Sequence, residues 1–239
     1  MNEVPKYSWS FSSLGLMSCP KKYELVRAKK IVTSPPSKAG DEGSRVHALI
    51  EDYFNTGTMV DELFKYRRLL ESYYVKGGQA EAEYAFKWVP SGEKLVRCEM
   101  DDPDVWFRAI LDWVKVDIEN TTAEVADWKT GRVKPSLQLQ LYAWIIFLAH
   151  PEIERVKCTF HWINYNDQLP QWFYRRDFNK LFEPFKEIID QINNCYVTDV
   201  WWEVPGPIYK STKRGQNCSF CPVDDRYCSH GIKYEGGNQ

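Results

Sequence analysis

One short stretch near the middle of the chain, Ala126-Asp127-Trp128-Lys129, constrains the fold more than any other. Asp127 and Lys129 are two residues apart, so on a β-strand both side chains leave the same face of the sheet. Asp112 ends an apolar run that is typical of a preceding strand, and a short polar segment between the two strands indicates a turn. These features predict a hairpin that brings Asp112, Asp127 and Lys129 close together.

Two carboxylates and an ammonium group in one place indicate metal-dependent chemistry. Carboxylate oxygens bind hard cations such as Mg²⁺, and a lysine beside them can stabilise a developing negative charge or orient a water molecule. The strand from Ala123 to Trp128 is largely apolar, and a charged pair at the end of a buried strand is costly unless a metal or a partner satisfies it. Solvated hairpins also carry Asp and Lys, so the triplet alone leaves a structural role open. Its apolar surroundings favour metal-dependent phosphodiester hydrolysis.

The composition is that of a globular protein, and its net charge does not by itself indicate nucleic-acid binding. The chain has 239 residues, enough for one large domain or two small ones. Aromatic residues make up 15 %, and they can form core or platforms on which bases stack. The formal net charge of −2 does not exclude a DNA enzyme, because acidic site residues offset basic patches in the sum. Two basic clusters are present: Lys21, Lys22, Arg27, Lys29 and Lys30 near the start, and Lys210, Lys213 and Arg214 near the end.

No segment indicates export or membrane insertion. The N-terminus lacks the apolar core of a signal peptide. The longest apolar stretch, residues 137–149, contains polar side chains and is shorter than the roughly 20 residues that span a bilayer. We therefore expect a cytoplasmic protein. Seven cysteines is an odd number, so thiols or metal ligands are expected rather than disulfides.

The predicted elements are helices followed by a run of strands, then a helix, two strands and a last helix. Helices are predicted over Ser12–Lys30, Asp41–Phe54, Asp61–Val75, Pro135–Ala149 and Asn179–Cys195. Strands are predicted over Glu83–Val89, Leu95–Met100, Val105–Val116, Ala123–Lys129, Arg155–Ile163 and Gln171–Arg175. The tail from Trp202 is rich in Pro, Gly and Cys and is predicted to be irregular. This order indicates an α/β or α+β sheet flanked by helices.

Polar residues on two predicted helices are further site candidates. His47 lies beside the apolar stripe of its helix, where an imidazole is either a structural residue or a metal ligand. Glu51, one turn later, could orient it or be solvated. Gln138 and Tyr142 are four residues apart and share a helix face. They are either a polar stripe in a buried helix or a surface that contacts a phosphate or base.

The C-terminal cysteines indicate a metal centre. Cys218 and Cys221 form a C-x₂-C pair, and Cys228 follows. A fourth ligand could be Cys19, which would join the two ends of the chain, or the nearby His230. Zinc and a [4Fe–4S] cluster both accept four thiolates, and the spacing does not choose between them. The remaining cysteines are expected to be buried small hydrophobes: Cys98, Cys158 and Cys195.

Taken in order, these motifs resemble the PD-(D/E)XK nuclease superfamily. Within it they resemble the RecB-like exonucleases that carry a [4Fe–4S] cluster, which include the CRISPR-associated adaptation nuclease, the AddB nuclease domain and phage exonucleases. The matching segments are Tyr7–Leu14, Cys19–Tyr23, Gly43–His47, Ile110–Asp112, Val125–Gly131, Gln138–Tyr142 and the three closing cysteines. One position departs from the family pattern, because Ala109 stands where a glycine usually precedes the first aspartate by three residues.

The resemblance implies a fold and a set of residue roles. It implies one nuclease domain over residues 1–239 with a mixed central sheet, in which an N-terminal helix (1–40) and a C-terminal segment (201–239) bind the cluster and flank the core (41–200). The implied ligands of Mg²⁺ or Mn²⁺ are His47, Asp112, Asp127 and the carbonyl of Trp128. Lys129 would position the attacking water and stabilise charge on phosphorus. The implied cluster ligands are Cys19, Cys218, Cys221 and Cys228.

Contacts with DNA and one further acidic position also follow from the resemblance. Gln138 and Tyr142 would hold the DNA backbone near the scissile bond and complete the catalytic set. Basic side chains implied to contact phosphates are Lys21, Lys22 and Arg45. The family's acidic residue at the entrance to the sheet would be Glu83, with Glu81 as the less favoured choice.

The function implied is that of a metal-dependent DNA exonuclease acting on single strands or duplex ends, in recombination, repair or phage DNA processing. Three alternatives stay open: an adaptation nuclease that trims spacer precursors, a non-catalytic DNA-binding protein with a structural or redox-sensing cluster, and a zinc-stapled endonuclease. DNA is the expected partner, recombination or single-strand-binding proteins and a second copy of the chain are further candidates, and no membrane partner is expected.

Overall fold

The structure is a computed structural model that describes residues 8–33, 38–89, 91–133, 136–206, 215–219 and 221–233. These residues form two compact units. The sheet unit contains residues 8–9 and those described from 38 to 183, and the cysteine unit contains residues 10–33 and those described from 184 onward. Several sequence features lie outside the described residues: Tyr7, Pro135, Lys210, Lys213 and Arg214.

Helices and strands follow one another along the chain in the predicted order. The α-helices are α1 (Phe11–Gly15), α2 (Pro20–Tyr23), α3 (Lys38–Thr56), α4 (Arg67–Tyr74), α5 (Gln138–Ala149) and α6 (Phe178–Thr198). The strands are β1 (Gln79–Trp88), β2 (Leu95–Cys98), β3 (Phe107–Asp117), β4 (Thr122–Lys129), β5 (Arg155–Trp162) and β6 (Asp167–Tyr174). Short 3₁₀ turns cover Leu16–Ser18, Asp61–Tyr66, Arg175–Asp177 and Gln216–Cys218, and Glu24–Ala28 is a π-helical turn.

The first predicted helix differs most from the structure. A continuous helix over residues 12–30 is wrong, because the chain forms α1, a 3₁₀ turn, α2 and a π-helical turn instead. Cys19 breaks the segment with an extended backbone (φ −144°, ψ 111°), and Pro20 begins α2. Proline fits the first helical position, since its missing N–H would have no intrahelical partner there. Cys19 therefore lies at a break between helical segments.

The sheet unit is built on one six-stranded mixed sheet with the strand order β2-β1-β3-β4-β5-β6. All neighbouring pairs are antiparallel except β4 and β5, which are parallel. A parallel pair needs a crossover connection, and α5 supplies it. In the β3–β4 hairpin Trp113 pairs with Ala126, and the same register continued by one residue sets Asp112 opposite Asp127. The predicted mixed sheet flanked by helices is confirmed.

Alternation along β4 sends its side chains to two different environments. Ala126 and Trp128 belong to an apolar cluster formed with α3, α4 and the turn before α4, including Leu63 and Leu70. Asp127, between them, instead contacts Tyr142 of α5. Helix α5 is buried over most of its length. No helix in the described ranges combines the length and apolar character needed to cross a bilayer.

Candidate active site

The β3–β4 hairpin brings together Asp112, Asp127 and Lys129, as predicted. The Trp128 backbone N–H donates to Asp112 Oδ2 at 2.7 Å, which fixes the carboxylate against the end of β4. The Lys129 ammonium lies 2.6 Å from Asp127 Oδ2. Asp127 is buried, so its charge depends on these neighbours for compensation.

Helix α3 adds an imidazole to the carboxylates. His47 Nδ1 lies 3.5 Å from Asp112 Oδ2, and His47 Nε2 lies 2.6 Å from the Trp128 carbonyl oxygen. Gly43, one turn earlier, allows the close approach of α3 to the end of β4, because a Cβ there would lie 3.2 Å from Thr130 Oγ1. The G-x-x-x-H spacing thus has a packing reason in this structure.

Glu81 of β1 completes a group of candidate metal ligands. Ligand atoms of His47, Glu81 and Asp112 all lie within 4.8 Å of one another. The preference for Glu83 is corrected, because Glu83 is exposed and two residues further along β1. Glu81 has a positive φ of 44° in the strand, which interrupts the regular pairing between Ala80 and Ala82. Alternation could not separate the two glutamates, since they share one strand face.

The electrostatics of this group fit a bound divalent cation. Burial, Asp112 and Glu51 raise the pKa of Glu81 to about 7. Burial and the Asp112 charge raise the pKa of Asp127, against the lowering by Lys129 and Tyr142. Burial opposes protonation of His47, but Asp112 raises its pKa. The carboxylates are partly desolvated and repel one another, and an imidazole lies beside them. A hard or borderline divalent cation would bind such a set of donors and neutralise its charge.

Gln138 and Tyr142 close a ring of hydrogen bonds with Asp127 and Lys129. Lys129 Nζ donates to Gln138 Oε1 at 3.0 Å, and Gln138 Nε2 donates to the Tyr142 hydroxyl. The Tyr142 hydroxyl donates to Asp127 Oδ1 at 2.9 Å. Tyr142 is only 4 % exposed, so its hydroxyl faces Asp127 and not solvent. This geometry makes Tyr142 a positioning residue for Asp127.

The basic residues that the family resemblance assigned to DNA lie in other settings. Arg45 Nη1 donates to Glu62 Oε2 at 2.6 Å and Nη2 donates to Glu42 Oε1 at 2.9 Å, so its charge is paired. Lys21 and Lys22 belong to the cysteine unit, where Lys21 Nζ donates to Glu24 at 2.7 Å. Any contact of these three residues with DNA stays a prediction.

The cysteine unit gathers four cysteines around one pocket. Its lining includes Cys19, Cys218, Cys221 and Cys228, and also His230, so both candidates for a fourth ligand are present. The Val204 N–H donates to Cys19 Sγ at 3.4 Å, and the Cys221 N–H donates to the Cys218 carbonyl at 3.2 Å. All four are free thiols, and burial raises the pKa of Cys228 to about 11.

The other three cysteines differ from one another. Cys158 and Cys195 are fully buried, as predicted, but Cys98 is only half-buried at the end of the short strand β2. The expectation for Cys98 is corrected, because β2 is an edge strand.

The comparison with protein families decides the identity of this fold. The sequence matches the family model described as the PD-(D/E)XK nuclease superfamily over residues 8–228. The chain belongs to the PD-(D/E)XK nuclease superfamily. Membership implies a metal-dependent nuclease that acts on DNA, and the group of His47, Glu81 and Asp112 offers the acidic metal site that such an enzyme needs.

Other comparisons add little to the family match. The crystal structure of SSO0001 aligns over 79 % of this chain and 79 % of that chain, with 13 % sequence identity and a TM-score of 0.39. A search of curated proteins gave no match.

Proposed function

We propose that this superfamily member is a DNA exonuclease that hydrolyses phosphodiester bonds at DNA ends or in single strands, in recombination, repair or phage DNA processing. The observation that carries the proposal is the convergence of His47, Glu81 and Asp112 within 4.8 Å. Buried Asp127 and half-buried Lys129, whose Oδ2 and Nζ atoms lie 2.6 Å apart, follow in β4. The metal-ligand donors and the lysine ammonium that would stabilise the transition state thus come from the β3–β4 hairpin and from the neighbouring elements α3 and β1.

The residues of the site would divide the chemistry as follows. His47, Asp112 and Asp127, with Glu81 and the Trp128 carbonyl, would hold Mg²⁺ or Mn²⁺. When bound, the cation supplies water activation and neutralisation of phosphate charge. Lys129, held by Asp127 and Gln138, would donate hydrogen bonds to the attacking water and to the charge that develops on the phosphate oxygens. Tyr142 would keep Asp127 in its productive orientation.

We also propose that the cysteine pocket holds a structural [4Fe–4S] cluster ligated by Cys19, Cys218, Cys221 and Cys228. Support comes from the donor set, because four free thiols line one pocket without forming disulfides. Zinc is the alternative for the same donors. Metal analysis of protein purified without oxygen distinguishes them, since iron with acid-labile sulfide supports the cluster and zinc alone overturns it.

A cleavage assay tests the nuclease proposal. Linear end-labelled single strands, duplexes and a circular single strand are incubated with Mg²⁺, Mn²⁺ or EDTA. We expect metal-dependent release of nucleotides from linear DNA, with the circle resistant. Lys129→Ala should abolish release, whereas Lys157→Ala, a half-buried lysine on β5 that pairs with Glu124, should retain it.

Two results would contradict this assignment. Cleavage of the circular strand at the same rate as linear DNA would show that the enzyme is an endonuclease and not an exonuclease. Binding of DNA by the unmodified protein without cleavage under any metal condition would favour the non-catalytic DNA-binding alternative.

A further inference from the structure

A large cleft lies in the sheet unit between the start of α4 and the turn that joins β5 to β6. Its volume is about 700 Å³, within the roughly 300–1,000 Å³ range of ligand clefts. One wall consists of residues 64–69 and the other of residues 161–163 and 166–168. The residues that line it do not include the candidate metal ligands His47, Glu81, Asp112 and Asp127.

One wall of the cleft contains the residues of β5 that pair with the end of β4. Trp162, in its wall, pairs with Lys129 across the parallel β4–β5 ladder, and the Ile163 N–H donates to the Lys129 carbonyl at 3.1 Å. Asn164 ties the two walls together, because its Nδ2 donates to the Thr130 carbonyl at 3.0 Å and its Oδ1 accepts from the Tyr66 hydroxyl. The wall of the cleft therefore begins at the residues that pair with Lys129.

The chemistry of the walls combines positive charge with exposed aromatic surface. Lys65, Arg67 and Arg68 line the cleft, against one acidic side chain, Asp167. Arg67 is paired with Glu71, whereas no described residue forms an ion pair with Arg68. Phe64, beside them, is 52 % exposed. A large apolar ring kept in solvent next to unpaired positive charge matches the surfaces on which unpaired bases stack while phosphates are neutralised.

We propose that this cleft binds the single-stranded part of the DNA substrate, with Phe64 stacking on a base and Arg68 contacting a phosphate. The inference rests on the proposed nuclease function, which it deepens by assigning the path of the strand next to the catalytic residues. A single strand is the occupant because stacking on Phe64 requires a base that is not paired. Sequence patterns could not reveal this surface, since its walls, residues 64–69 and 161–168, are far apart in the chain.

Binding of a labelled single strand tests the cleft directly. The dissociation constant of a 5′-labelled single strand about 12 nucleotides long, a length within the range of single-strand site sizes, is measured by fluorescence anisotropy in EDTA over a series of salt concentrations. Phe64→Ala should weaken binding by about fivefold or more, the effect of losing one stacked base. Arg68→Ala should reduce the slope of log K against log salt by about 0.7, the contribution of one phosphate contact in a single strand.

Two control variants each remove an exposed residue of the same chemical class from a place outside the cleft. Trp172→Ala removes an exposed aromatic ring from β6, and Arg176→Ala removes an exposed arginine beyond the opposite end of the β5–β6 hairpin. Both should leave the affinity and the salt slope unchanged. In Mg²⁺, the two cleft variants should raise the KM for the same strand and leave kcat unchanged, because neither residue belongs to the catalytic group.

The outcomes distinguish a failure of the cleft proposal from a failure of the nuclease proposal. If the two cleft variants bind and cleave DNA like the two controls, the proposal that the cleft binds the strand is overturned, even when the unmodified protein is an active nuclease. Weakened binding by Phe64→Ala and Arg68→Ala supports the cleft, and if the unmodified protein then cleaves no DNA, only the nuclease proposal fails. Equal weakening of duplex binding by both variants would overturn the assignment to a single strand.

Discussion

The substitution Tyr142→Phe removes one buried hydroxyl and leaves the packing of α5 intact. That hydroxyl donates to Asp127 Oδ1 at 2.9 Å and accepts from Gln138 Nε2. Hydrogen bonds to charged groups contribute about 1.5–3 kcal/mol, and the ring volume is unchanged, so no cavity forms. Among the described residues Lys129 is then the close partner left to Asp127, and we expect the free energy of unfolding to fall by about 2–3 kcal/mol. For a chain of this size that lowers Tm by roughly 5–10 °C.

Urea and thermal unfolding without added divalent cation measure this loss, and Tyr84→Phe is the matched control. Tyr84 is as buried as Tyr142, but within the described part of the chain its hydroxyl makes just one long contact, of 3.4 Å, with His150. Its substitution should cost less than about 1 kcal/mol. In the nuclease assay Tyr142→Phe should lower kcat about 10- to 100-fold with little change in KM, as loss of a partner of a metal ligand does. The reasoning is refuted if the two Tyr→Phe variants lose equal stability.

Further predictions address the acidic group, the cysteines and the core. Glu81 has a pKa of about 7 in the folded protein and a lower one when unfolded, so its stabilising effect is present at acidic pH and is lost as pH rises through 7. Tm of the cation-free protein should therefore fall between about pH 5 and pH 8, and Glu81→Gln should reduce this fall; an unchanged pH profile would contradict the assignment. Cys19→Ser should lower the iron content and visible absorbance of protein purified without oxygen, whereas Cys98→Ser should change neither; equal iron in both variants would exclude Cys19 as a ligand. Leu70→Ala should cost about 2–5 kcal/mol in urea unfolding because Leu70 is fully buried, and Val75→Ala, at an 80 % exposed position, should cost almost nothing. Equal costs for these two would contradict the packing described for α4.

Local pattern predicted the central hairpin correctly, because strand alternation and register are set by neighbouring residues. Asp112, Asp127 and Lys129 need only two adjacent strands and a tight turn to meet. The polar spacing on α5 likewise predicted that Gln138 and Tyr142 share a face. Where those side chains point depends on the sheet beneath the helix, and the structure turns the Tyr142 hydroxyl to Asp127.

Features that depend on backbone distortion or distant packing were beyond the sequence patterns. The positive φ of Glu81 lies within a strand whose pattern is regular, so its place beside His47 and Asp112 could not be distinguished from that of Glu83.

The break in the first predicted helix is a different case. The helix was predicted to be continuous over residues 12–30, but the chain breaks at Cys19. Pro20 is a local signal of this break, because a proline disfavours the helical conformation of the residue before it.

The central claim is that a divalent cation held by His47, Glu81 and Asp112 drives DNA hydrolysis, and two glutamates of β1 test it most directly. The rate of nucleotide release from a linear single strand is measured against Mn²⁺ concentration for the unmodified protein, Glu81→Gln and Glu83→Gln. The account predicts that Glu81→Gln needs at least about tenfold more Mn²⁺ for half-maximal rate, while Glu83→Gln, exposed and two residues away, behaves like the unmodified protein. A stronger requirement for Mn²⁺ in Glu83→Gln than in Glu81→Gln, or hydrolysis independent of the cation, would contradict it.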